Sequence, residues 1–326
     1  MRSRSDMSSP SPRRPAFVAG VDLGGTWLRV GLAGPDGEVR HRGRARTAAE
    51  DGPAGVLAQI GDLVREAVAT EPEAELSQLV LAIGVPGPVD SGSGVVEGAP
   101  NLPGWCRVPV RDLLEEMLGC QCLVEHDANL AALAEHRRGI GRGTRDFIYV
   151  TVSTGIGAGL ILGGKLYRGY QGSAGEFGHM VISPDGPLCN CGNHGCVEAF
   201  ASGTGIARQA GVASAAEVGR LAAAGDQAAQ QILSRAARHL GLAVGGLINL
   251  LNPEVIALGG GVIASSPKFW TEVLAAIPDG SFPSLRNTCR VEPAELGEDQ
   301  GLVGAVELAL DLARSGPPRV AKVAIP

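Results

Sequence analysis

Long apolar runs are missing from this chain. No stretch of 18 consecutive apolar residues occurs in its 326 residues, which argues against a membrane-spanning helix. The opening stretch MRSRSDMSSPSPRRP, residues 1–15, has no apolar core. It reads as neither secretory signal nor membrane anchor, and its Ser, Pro and Arg content predicts a disordered tail. A soluble cytoplasmic protein is the expectation. Positive charge is not in excess either. The formal net charge is −6, which argues against nucleic acid as the main partner, because a phosphate backbone needs a basic surface. Aromatic residues amount to 4% and charged residues to 19%, against 44% hydrophobic residues and 48 glycines. Length and apolar content suffice for two domains with a sizeable core. The glycines predict tight turns and close backbone approaches to ligands. Two familiar phosphate signatures are absent as well. No G-x-x-x-x-G-K-[ST] occurs, and the run G-I-G-A-G-L from Gly155 does not match G-x-G-x-x-G. A P-loop enzyme and a Rossmann dinucleotide site are therefore disfavoured.

The elements that are present alternate between strand and helix patterns. Residues 17–32, FVAGVDLGGTWLRVGL, read as strand, glycine turn, strand, with a third strand over 38–45. Val56, Leu57, Ile60, Leu63, Val64 and Val68 carry helical spacing over 53–69. A strand over 79–85 runs into Pro86-Gly87-Pro88, and a loop with Asn101 and Trp105 follows. Helix 110–118, strand 122–125 and helix 127–138 come next. Residues 147–162, FIYVTVSTGIGAGLIL, repeat the strand–turn–strand plan roughly 130 residues after its first use. A duplicated domain, with two glycine turns facing each other across a cleft, explains the echo economically. Helices are expected over 197–210, 215–224 and 226–251, the last stopped by Pro253. A strand at 255–258, a helix at 267–276, a strand at 290–293 and a helix at 301–314 complete the order.

Three features carry chemistry. The first is the stretch from Gly172 to Glu198, which places His179, Cys189, Cys191 and Cys196 within eighteen residues. Three thiols and an imidazole complete a tetrahedral set for Zn²⁺ and leave no open position for water, so the site reads as structural. Free or disulfide-bonded cysteines are the alternative. The other thiols are scattered, the total of seven is odd, and nothing points to secretion. The second feature is a set of small-residue turns: Asp22-Leu23-Gly24-Gly25-Thr26, Ser153-Thr154-Gly155 and Gly259-Gly260-Gly261. Such turns bring backbone N–H groups to phosphate, Thr26 adds a hydroxyl, and Asp22 suits Mg²⁺ or its waters. The turn at Gly259–Gly261 lies between a strand and a helix, where the helix N-terminus attracts negative charge. The third is Asp127, at or near a helix N-cap. It is either an ordinary cap or a base that accepts a proton from a sugar hydroxyl during phosphoryl transfer.

These motifs together (DLGGT, the E-x-x-G-H of Glu176 to His179, CNCGNHGCVE and LGGG) resemble the ROK family of sugar kinases, closest in pattern to its bacterial glucokinases. The resemblance covers about residues 17–313. It implies an actin-like, hexokinase-type α/β fold, with two domains around an ATP and sugar cleft and a structural zinc site. On that plan residues 16–125 form a small domain, onto which helix 301–314 packs back, and residues 126–300 a large domain with the zinc. The resemblance makes Asp127 the catalytic base. It makes Glu176, His179 and Glu198 sugar ligands, and His179, Cys189, Cys191 and Cys196 the zinc ligands. Gly87 and Asn101 fall in loops on the sugar side. Asp22, Gly24, Gly25, Thr26, Thr154, Gly155, Gly259, Gly260 and Gly261 fall at the nucleotide, which binds with Mg²⁺. A homo-oligomer, dimer or tetramer, is implied. One departure is His126, where the family has Asn before the base. Histidine there opens the 3/4 end of the sugar to change, so an amino sugar such as kanosamine, N-acetylglucosamine or N-acetylmannosamine stands beside glucose. A sugar-responsive repressor is disfavoured by the lack of a helix-turn-helix ahead of the first strand.

Overall fold

A computed structural model describes residues 17–99 and 101–315. The expected disordered tail, residues 1–15, lies outside the described residues. The chain runs β1 (Val18–Leu23), β2 (Trp27–Ala33), β3 (Val39–Arg46), α1 (Gly52–Ala69), β4 (Val80–Val85), β5 (Val89–Asp90), β6 (Val95–Gly98), β7 (Cys106–Pro109), α2 (Val110–Leu118), β8 (Gln121–His126) and α3 (Asp127–Arg138). It continues through β9 (Phe147–Val152), β10 (Ile156–Leu162), β11 (Lys165–Tyr167), α4 (Val197–Ala201), α5 (Gly203–Ala210), α6 (Ala215–Ala223) and α7 (Gln227–Leu251). The last elements are β12 (Val255–Gly259), α8 (Gly261–Ala264), α9 (Pro267–Gly280), β13 (Arg290–Pro293) and α10 (Gln300–Ser315).

The sequence echo is an echo of topology. One five-stranded sheet has the order β3-β2-β1-β4-β8 and the other β11-β10-β9-β12-β13. In each, an antiparallel hairpin (β1–β2 or β9–β10) carries a third strand outside it, and two parallel strands follow on the inner side. Strand periodicity sets what each sheet buries. On β1, Ala19, Val21 and Leu23 face a core shared with α1 and α2 residues such as Val56, Ile60 and Leu114. Val18 faces the opposite core, with Ala305, Val306 and Ala309 of α10. Period two then puts Asp22 on the α10 side.

Helices α3 and α10 lie between the sheets. Leu130 of α3 joins the α10 core, while Ala131, Ala132 and Leu133 pack on Phe147, Tyr149 and Ala257 of the second sheet. Two glycines permit this. A Cβ on Gly304 would lie 1.9 Å from the Leu130 carbonyl oxygen, and one on Gly159 2.4 Å from that of Ala128. The far side of the second sheet is covered by α4–α9, with Leu240, Val244, Val273 and Ile277 in its core.

Two expectations need correction and one is refined. The loop after β4 contains a separate three-stranded sheet, β5-β6-β7. The helix expected over 197–210 breaks at Ser202, whose hydroxyl accepts the Gly205 N–H and caps α5. The N-cap of α3 is His126, so Asp127 is its first helical residue and its carboxylate accepts only the adjacent Ala128 N–H among the described residues.

Candidate active site

Asp22 is the penultimate residue of β1, just ahead of the glycine turn. The turn is closed by Gly24 N–H donating to the Trp27 carbonyl at 2.9 Å and braced by the Thr47 hydroxyl, which donates to the Gly24 carbonyl at 2.7 Å. The carboxylate of Asp22 lies against the first turn of α10, where a Gly301 Cβ would come within 2.6 Å of it. Arg29, its cross-strand partner, approaches at 3.2 Å and also holds Glu298 at 2.8 Å. Burial nevertheless pushes the Asp22 carboxyl up to about 6, against the pull of Arg29 and with the charge of Asp127 adding to the rise. Two acids are thus held close enough to repel each other, which is a setting for a divalent cation or its waters. Asn101 packs over the same turn, 2.9 Å from where a Gly25 Cβ would stand.

The β8–α3 junction supplies His126 and Asp127. The imidazole Nε2 of His126 is 3.5 Å from Asp127 Oδ1, and the Asp127 side chain is 44% exposed rather than tied up in packing. His126 lines a narrow hollow with Pro88, Gly172, Ala174 and Glu176. Gly87 turns just outside it with φ +89°.

The cysteine stretch forms a compact clip. His179 ends a short 3-10 turn that follows Glu176, and Cys196 caps α4. The ligand atoms of His179, Cys189, Cys191 and Cys196 all lie within 4.8 Å of one another. The separations from Cys191 Sγ to Cys196 Sγ and from Cys189 Sγ to His179 Nδ1 are both 3.6 Å. A tetrahedral Zn²⁺ with bonds of about 2.3 Å to sulfur requires sulfur–sulfur edges of about 3.8 Å, so the donor set fits that ion in identity, number and spacing. Burial and the neighbouring thiols push Cys196 up to about 12, a resistance to ionisation that a bound dication would reverse. With Nδ1 turned to the thiols, His179 presents Nε2 to Glu176 at 3.8 Å. Glu198 bridges outward: its Oε2 accepts the Ile156 N–H at 2.9 Å, and a Cβ on Gly155 would sit 2.8 Å from that oxygen.

A cavity of about 580 Å³ opens beside this clip. Ser153, Thr154, Gly203, Thr204, Arg208 and residues 212–216, which run into α6, line it, with Gly261 at the start of α8. Of the three-glycine turn, only Gly261 lines the cavity. Gly259 admits the Tyr149 ring and Gly260 abuts the Val152 carbonyl. Sequence reasoning did not single out Gly203, Thr204 or Arg208. The helix caps Ser202 and Ser214, recognisable as cap residues, frame the segment that holds them. It also passed over the buried Glu125 and its partner Arg168.

The sequence profile described as ROK family matches residues 18–312. A glucokinase of Thermotoga maritima is 35% identical over 310 residues, 89% of this chain and 96% of that protein. An N-acetylmannosamine kinase of Escherichia fergusonii is 34% identical over 296 residues, 89% of this chain and 97% of that one. The crystal structure of a ROK family glucokinase from Streptomyces griseus, in complex with glucose and AMPPNP, superposes with a TM-score of 0.73 at 31% identity. That match covers 92% of this chain and 100% of the other. A hexokinase-type α/β fold with mixed sheets, the two glycine-turn hairpins and a match over nearly every described residue lead to one conclusion: the chain belongs to the ROK family.

Proposed function

We infer that the protein is an ATP-dependent hexose kinase that phosphorylates the 6-hydroxyl of glucose or a close analogue. The observation that carries this reading is the exposed Asp127 carboxylate at the β8–α3 junction, 3.5 Å from His126, whose side chain lines one hollow with Glu176. The similarity to the Thermotoga glucokinase and to the Streptomyces enzyme that holds glucose and AMPPNP supports it.

In this reading residues 16–125 and 126–300 act as two domains that flank the cleft, with α10 returning to the first. The cavity lined by Thr154, Thr204 and Gly261 takes the nucleoside, and the turns at Gly24–Thr26 and Thr154–Gly155 face its phosphates. Glu176, His179 Nε2 and Glu198 hold sugar hydroxyls, with Gly87 and Asn101 at the rim. Asp127 accepts the proton of the 6-hydroxyl and aims the oxygen at the transferred phosphorus; in such transfers, alignment and charge neutralisation carry most of the acceleration. When bound, Mg²⁺ neutralises charge on the donor phosphates, and Asp22 is the residue placed to hold it or its waters. The zinc held by His179 and the three cysteines is structural, because four protein ligands leave it no reactive position. A cytoplasmic homo-oligomer completes the reading; among the described residues no helix is long and apolar enough to cross a membrane.

The test is ADP release over a panel of hexoses. Wild type is expected to turn over glucose or an amino sugar, and Asp127→Ala to lose about 10²–10⁴-fold in kcat, the range for a positioned base. Undiminished turnover by Asp127→Ala removes the assigned base. An amino-sugar 6-kinase is the second reading. His126 favours it, since a ring nitrogen at the 3/4 end of the sugar offers a different partner from an amide.

A further inference from the structure

We propose that Glu125 is a positioning residue that, through Arg168, fixes the His126–Asp127 junction in register with the sugar-side loops. The proposal rests on the sugar-kinase reading above. Glu125 is only 1% exposed. A carboxylate so placed is costly unless its oxygens are fully engaged. Both are. Oε1 accepts three donors: the Ser91 hydroxyl at 3.1 Å, the His126 N–H at 3.0 Å and the Asn129 amide at 2.9 Å. Oε2 accepts Arg168 Nε at 2.5 Å.

The origin of those donors gives the group its significance. Ser91 sits in the turn between β5 and β6, in the small sheet. His126 and Asn129 belong to the end of β8 and the first turn of α3. Arg168 follows β11, on the second large sheet. One carboxylate therefore ties all three sheets together at the point where the chain presents His126 and Asp127. The Arg168 side chain is 36% exposed while its partner is buried, so replacing the cation leaves no cavity in the core, although the buried carboxylate then loses its counter-charge.

The bond also orients Asn129. Its NH₂ must face the carboxylate, which leaves Oδ1 fixed as an acceptor with no partner among the described residues. Asn129 lines the same narrow hollow as His126 and Glu176. Glu125 therefore controls two walls of the proposed sugar site while touching no substrate itself. An ordinary buried ion pair would contribute to stability alone, and the two roles part company in kinetics.

The experiment is a double-mutant cycle with Glu125→Gln, Arg168→Gln and the double variant, read by steady-state kinetics and by hydrogen exchange of the segment 121–130. Arg168→Gln is expected to raise the sugar KM about tenfold or more while leaving the ATP KM within about twofold, since a displaced contact acts on positioning. The double variant is expected to be no worse than the worse single, because both remove one interaction. Arg168→Lys, which restores the cation without the fixed Nε donor, is expected to recover part of the sugar KM. The His126 amide is expected to lose protection in Arg168→Gln. An unchanged sugar KM, equal rises in both KM values, or strictly additive effects overturn the proposal. If wild type phosphorylates no sugar in the same assay, the kinase reading itself fails, and the positioning role is then decided by the exchange at His126, an undisturbed amide refuting it.

Discussion

Replacing Asp22 by asparagine is expected to abolish activity and yet make the nucleotide-free protein more stable. The reasoning starts from the carboxyl itself, which burial lifts from 3.8 to about 6 despite Arg29 at 3.2 Å. A folded state with the higher proton affinity favours folding most strongly at low pH, and the advantage is lost as pH rises through the window from about 3.8 to about 6. Above that window the ionised Asp22 costs about 3 kcal/mol, at 1.36 kcal/mol per pH unit. Asparagine keeps the shape and removes the charge. Urea unfolding at pH 7.5 in EDTA should then show the variant about 3 kcal/mol more stable, and at pH 4.5 the gap should shrink to about 1 kcal/mol. Divalent cation bound at Asp22 relieves the same penalty, so added Mg²⁺ and nucleotide should stabilise wild type and not the variant. A variant equal to or less stable than wild type at pH 7.5, or a gap that does not narrow in acid, refutes the account of Asp22 as a strained acid awaiting a cation.

Two further outcomes follow from the geometry. His126→Asn is expected to shift the kcat/KM ratio of glucose over amino sugar by about tenfold or more towards glucose, because a matched polar contact discriminates strongly; an unchanged ratio removes His126 from the specificity account. Gly304→Ala is expected to destabilise the protein by about 1–3 kcal/mol or more, since the new methyl would sit 1.9 Å from the Leu130 carbonyl oxygen and must force α10 off α3. A thermal midpoint equal to wild type shows that the two helices are not in such contact.

Local chemistry made much of this molecule readable. The hairpins around Gly24-Gly25 and Ser153-Thr154 announce themselves because apolar strands flank small-residue turns, and their repetition anticipated the matching order of the two large sheets. The His/Cys cluster was readable for the same reason: its four residues lie close in sequence. What escaped has non-local causes. Strands β5, β6, β7 and β11 are only two to four residues long, too short for any period to show. Ser202 is a cap-type residue inside an apolar helical pattern, and that pattern hides the break marked by its bond from the Gly205 N–H. Glu125 looked like a polar residue at a strand end; Arg168 is 43 residues away in sequence, and the burial of that pair arises only when the sheets assemble.

The cysteine clip reaches further than the proposed sugar site. Arg208, in the wall of the 580 Å³ cavity, donates to Asn190 Oδ1 at 2.9 Å and to the Leu188 carbonyl at 3.3 Å, on either side of Cys189. Glu198, on the other flank, accepts the N–H of Ile156 beside the Thr154–Gly155 turn. The segment joining these two residues also donates Gly203 N–H to the Ser153 carbonyl at 2.7 Å and Thr204 N–H to that of Thr154 at 3.2 Å. The clip and the cavity wall are therefore one connected piece of backbone. A structural role confined to the sugar side predicts that removing zinc raises only the sugar KM. The connected geometry predicts that the ATP KM rises with it, since the lost ligand field releases residues 188–190 and with them Arg208. Purified protein is expected to carry about one zinc per chain. Chelation followed by separate KM measurements distinguishes the cases, with zinc repletion restoring both constants. A metal-free protein with both constants unchanged would sink the clip entirely, and a change confined to the sugar would cut the link through Arg208.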